Sequence, residues 1–64
     1  MDIEEIRHKQ SFIKLLKIEI GECYKRIDRY KSAEMEVFQS FDKFIQTENQ
    51  KIVDYETMIR VLSE

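Results

Sequence analysis

Few residues in this chain have side chains and spacings suited to catalysis. His8 follows Glu4 by four residues, so on a helix the two could meet as a general acid–base pair. Such pairs usually lie on solvated helix surfaces, and the chain offers no convergent set of polar groups around this one. One histidine and one cysteine, Cys23, cannot form a structural zinc site. We therefore predict no catalytic, cofactor or metal site, and we expect a non-enzymatic protein.

The first half of the chain contains a cluster of positive charge that could contact phosphates. Acidic residues such as Glu22 and Asp28 dilute this charge, whereas phosphate binding favours a net-positive face. Nucleic-acid binding by a dimer of helical hairpins is therefore the alternative function, and we expect no membrane binding. The residues that this alternative would use are Lys25, Arg26, Arg29 and Lys31.

The length and composition of the chain favour association with another protein. Sixty-four residues with 38% charged side chains are close to the lower limit for a domain that folds alone. A single cysteine suits a reducing compartment, and the acidic start of the sequence does not resemble a signal peptide. We expect a cytoplasmic protein of the kind common among phage and bacterial regulators. Residues 1–31 carry a formal charge of +2 and residues 32–64 a charge of −4, so the two halves should attract each other.

Apolar residues recur at alternating steps of three and four in two runs, which predicts two amphipathic helices. In heptad notation, with a and d as the buried positions, isoleucine fills every a position of the first run. The charged residues Lys9 and Glu48 interrupt the d positions. The first run is Ile6, Lys9, Ile13, Leu16, Ile20, Cys23, Ile27 and Tyr30; the second is Phe38, Phe41, Ile45, Glu48, Ile52, Tyr55, Ile59 and Leu62.

A phase slip separates the two runs. We predict a turn at about residues 31–33, with Ser32 as the N-cap of a second helix and Glu34 in its first turn. The expected fold is a single all-α domain over residues 1–64, an antiparallel two-helix hairpin with helices at about 2–30 and 34–63. The alternatives are one continuous helix and a three-helix form with a capping box at Thr47 and Gln50.

This turn would place each charge in the runs beside a suitable partner. Glu48 would lie opposite residues 15–17, within reach of Lys14 and Lys17. Lys9 would lie near Tyr55 and Glu56.

A hairpin would still leave apolar side chains uncovered. We expect a second copy, forming a four-helix bundle, or the helices of another protein to cover them. The predicted function is a small interaction module, acting as an adaptor, inhibitor or assembly regulator. The predicted partner-binding residues are Phe12, Leu15, Ile18, Phe44 and Met58.

Overall fold

The computed structural model describes residues 3–64 and contains two α-helices. Helix α1 spans Ile3–Val37 and helix α2 spans Asp42–Ser63. The helices pack side by side in an antiparallel hairpin, and no strand occurs within residues 3–64. The predicted all-α hairpin is therefore confirmed. Asp2, where the first helix was predicted to begin, lies outside the described residues.

The core is a single row of side chains between the two helices. Cys23, Ile27 and Ile52 form its buried centre, and partly buried apolar side chains extend the packing. The row follows the a and d positions because residues three and four apart share one side of a helix. Further along α1, Leu16 is also buried. The core is narrow, so much apolar surface remains outside it.

The predicted turn at 31–33 is wrong, because α1 continues to Val37 and the connection spans residues 38–41. Ser32 therefore lies inside α1 and caps no helix. Glu34 also belongs to α1, yet its carboxylate reaches the second helix. Its Oε1 accepts a hydrogen bond of 2.7 Å from the backbone N–H of Phe41, immediately before α2.

Two further details mark the entry to α2. Ser40 Oγ accepts a hydrogen bond of 3.3 Å from the Asp42 amide, which satisfies one free donor at the start of the helix. Thr47 lies within α2, and its hydroxyl donates to the Lys43 carbonyl at 2.9 Å. The hydroxyl is thus hydrogen-bonded inside the helix and caps no helix N-terminus, which excludes the three-helix alternative. The break between α1 and α2 excludes the single continuous helix.

The later turn shifts the register between the helices. Glu48 meets Arg26, nine residues beyond the predicted partner Lys17. Lys9 lies in a groove with Leu62, Ser63 and Glu64 at the open end of the hairpin, not beside Tyr55 and Glu56. Both predicted pairings are wrong because they assumed a turn several residues too early.

Helix α1 is 13 residues longer than α2, so its first turns extend beyond the end of α2. Ile3 and Ile6 are exposed there. The helix limits also change the charge balance. Since Glu34 and Glu36 belong to α1, that helix carries eight basic and seven acidic residues, and α2 carries three and four. The attraction expected between a basic half and an acidic half is therefore weak.

Candidate protein-binding face

One side of the hairpin carries a row of half-exposed apolar side chains. Near the open end, Phe12 of α1 lines a groove together with Met58 and Val61 of α2. Leu15 lies three residues after Phe12, about 60° further around the helix. Phe44 precedes Met58 by 14 residues, which places it within about 40° of Met58 on α2. We call Phe12, Leu15, Phe44, Met58 and Val61 the lateral face.

Four of the five predicted partner-binding residues belong to the lateral face, and all five are 45–58% exposed. The structure brings Phe12 and Met58 together across the groove at the open end. Ile18 is exposed as well but lies elsewhere, because six residues turn it about 120° away from Phe12. The prediction thus named residues from two different sides of α1.

At the turn end, the lateral face continues into an aromatic cluster. The ring centroid of Tyr30 lies 5.5 Å from that of Phe44 and 6.1 Å from that of Phe41. Rings at these distances stabilise each other beyond the area that they bury. The cluster therefore holds Phe44 in a defined position although the residue is 55% exposed.

Between the two apolar ends lies a cluster of charged groups. Arg26 Nε lies 3.0 Å from Glu48 Oε2, and Lys51 Nζ lies 3.5 Å from Glu48 Oε1. Arg26 also donates a hydrogen bond of 3.3 Å from Nη2 to Cys23 Sγ. Glu48 is only 5% exposed, so its charge requires these partners.

The protonation states of this cluster follow from its geometry. Burial disfavours the charged form of Glu48, but the thiol of Cys23 and the cations Arg26 and Lys51 together outweigh burial and lower the pKa of the carboxyl. Burial, followed by the nearby Glu48, raises the pKa of the Cys23 thiol. Glu48 is therefore a carboxylate and Cys23 a thiol at neutral pH.

Two of the four residues assigned to the nucleic-acid alternative form ion pairs within the chain. Arg26 pairs with Glu48, and the ammonium group of Lys25 lies 3.3 Å from Glu22 Oε1. Both pairs reduce the positive charge that could face a phosphate. Arg29 and Lys31 are exposed on α1.

Sequence reasoning left out Val61 of the lateral face and misplaced Phe38. Val61 follows Met58 by one helical turn, so the same spacing could have identified it. Phe38 was assigned to a buried a position but lies in the turn, 95% exposed, with a φ of 53°. Its position depends on where α1 ends, which the heptad pattern did not show.

The fold and this face define a class: a two-helix antiparallel hairpin with a narrow core and a half-exposed apolar side. No family model matches the chain, and neither the curated proteins nor the solved structures contain a significant match. Among residues 3–64, neither helix has the length and apolarity needed to cross a membrane.

Proposed function

We propose that this protein is a non-enzymatic interaction module whose lateral face binds α-helices. The observation that carries the proposal is the groove in which Phe12 packs beside Met58 and Val61 while all three remain about half exposed. Soluble monomers rarely leave large contiguous apolar patches in water, and such patches often mark interaction sites.

The shape of the face suits a helix as the bound element. Side chains one turn apart, such as Phe12 and Leu15, form ridges along each helix, and the space between the two helices forms a groove. A third helix can place its own ridge in such a groove. Binding of this kind would let the protein act as an adaptor, inhibitor or assembly regulator by covering a surface of its partner.

The proposal can be tested by crosslinking in cells that express the protein. A photoreactive amino acid would replace Phe12 or Met58 on the lateral face, and Ile18 or Val53 as controls. The control side chains are similarly exposed, at 51% and 54%, but point away from the lateral face.

We expect protein adducts from positions 12 and 58 at much higher yield than from positions 18 and 53. Mass spectrometry of the adducts would identify the bound chain and the contacted segment. Equal yields from all four positions would contradict the proposal, as would adducts that map to segments outside helices.

A further inference from the structure

We infer that the occupant of the lateral face is a second copy of this chain, which completes a four-helix bundle. This inference rests on the proposed function and adds the identity of the partner. It is based on the solvent-accessible area of the hairpin and on the charges of the side chains on this side of the hairpin.

The hairpin exposes more surface than a protein of its mass normally does. A compact monomer of 7.8 kDa is expected to expose about 4,400 Å². The observed value is 5445 Å², an excess of about 1,000 Å². If each of two copies buried that excess, the interface would total about 2,000 Å², which is typical of a stable homodimer.

The charges on this side of the hairpin are compatible with self-association. Arg26 and Lys51 share the single carboxylate of Glu48 within the same chain, so two cations and one anion leave this cluster one net positive charge. A strongly acidic or basic partner would find little electrostatic complement there. The net charge of −2 is also small, so repulsion between two copies is weak and is screened over about 8 Å at physiological salt.

The distribution of side chains also fits a symmetric interface. The lateral face has apolar side chains at both ends of the hairpin and the charged cluster between them. In a two-fold dimer, the same surface serves both copies, so it must be complementary to itself. Apolar ends can cover one another in such a pair, and the centre, with two cations around one carboxylate, carries only one net positive charge in each copy.

Sedimentation equilibrium over about 1 to 200 µM would measure the mass directly. We expect the wild-type protein to reach twice 7.8 kDa. A double variant, Phe12→Glu with Met58→Glu, places charges in the interface and should raise the dissociation constant at least about 100-fold. The matched control, Ile18→Glu with Val53→Glu, adds the same charges at similarly exposed sites and should remain dimeric.

Circular dichroism would show whether each variant is still helical. If the first double variant unfolds, Leu15→Glu replaces it, because Leu15 is 58% exposed and contributes less to the hairpin itself. A wild-type monomer at 200 µM would overturn the inference, as would equal dissociation of the control. If the protein is a monomer but still crosslinks through positions 12 and 58 to another protein, only the inference that the partner is a second copy would be overturned. Failure of those crosslinks would overturn the proposed function.

Discussion

The turn contains a strained residue whose replacement should stabilise the protein. Phe38, the first residue after α1, has a φ of 53°, in the left-handed region that residues with a Cβ atom avoid. Glycine is the residue usually found at this position after a helix, because it adopts the conformation without a steric penalty. We therefore expect Phe38→Gly to increase the free energy of unfolding.

The size of the effect follows from two opposing terms. A left-handed conformation costs a residue with a Cβ atom roughly 1–2 kcal/mol. Glycine loses about 0.5–1 kcal/mol more conformational entropy on folding. The net stabilisation should lie between about 0 and about 1.5 kcal/mol. The middle of that range, about 0.75 kcal/mol, would raise Tm by roughly 3–6 °C in a domain of this size. Few contacts are lost, because Phe38 is 95% exposed.

Phe38→Ala is the matched control, since it removes the aromatic ring and keeps the Cβ atom. Thermal unfolding followed by circular dichroism, with all proteins at one concentration, would compare the three chains. The control should stay within about 0.5 kcal/mol of wild type. The reasoning would be refuted if alanine stabilised the protein as much as glycine, because the ring and not the backbone would then be responsible. Loss of stability in the glycine variant would refute it equally.

Two further predictions concern single residues within the helices. Gly21→Ala should raise the free energy of unfolding by up to about 1 kcal/mol in urea denaturation, because alanine favours the helix and an added Cβ would meet no atom within 4 Å apart from its chain neighbours and the backbone of its own helix. A loss of stability would contradict this. Since the folded state lowers the pKa of Glu48, its contribution to stability is present above the ordinary pKa of the group and is lost as the pH falls through the folded-state value. Unfolding curves between about pH 6 and pH 2 should therefore show a steeper loss for wild type than for Glu48→Gln, and identical pH dependence would exclude this role of Glu48.

The sequence was sufficient to predict the hairpin and most of its inward-facing residues. Of the a and d positions, those near the centre of the hairpin are buried or half-buried, including the charged residue Glu48. The a and d positions that are exposed are Ile6 and Lys9, in the first turns of α1, and Phe38 in the turn between the helices. Heptad spacing identifies the side of a helix that is apolar, but it does not show how far the partner helix extends.

The turn was predicted too early because a helix that continued through Glu34 was expected to bury the charge of this residue. The cost of this burial favoured a helix end before Glu34, since a carboxylate is stabilised at a helix N-terminus. In the structure the Glu34 carboxylate is also stabilised by a helix N-terminus, but not by that of its own helix. Glu34 lies near the end of α1 and accepts its hydrogen bond from the N-terminus of α2, seven residues later in sequence. A capping contact across the turn cannot be recognised from local sequence, because it depends on the tertiary packing of the two helices.

The candidate site was predicted only in part, for a related reason. Phe12, Phe44 and Met58 could be named because each flanks the apolar seam of its helix, and Leu15 because it is apolar on the side of the first helix nearly opposite the seam. Helical spacing alone separates Ile18 from Phe12 by about 120°. Which residues of the two helices lie beside each other depends on the register, and the predicted register was wrong by nine residues at Glu48. Only the packed structure shows that Phe12 lies beside Met58.

The charged cluster in the core accounts for the register that the hairpin adopts. A slip by one heptad would place Glu48 opposite residue 19 or residue 33 of α1, which are Glu19 and Ala33. Neither side chain could pair with the buried carboxylate, whereas Arg26 does so in the observed register and adds to Lys51, which stays beside Glu48 on α2 in every register. A core of apolar residues alone would tolerate such slips more easily, because isoleucine would meet isoleucine again. The pair of Arg26 and Glu48 thus specifies which residues of the two helices meet, and it thereby brings Phe12 beside Met58 in the lateral face.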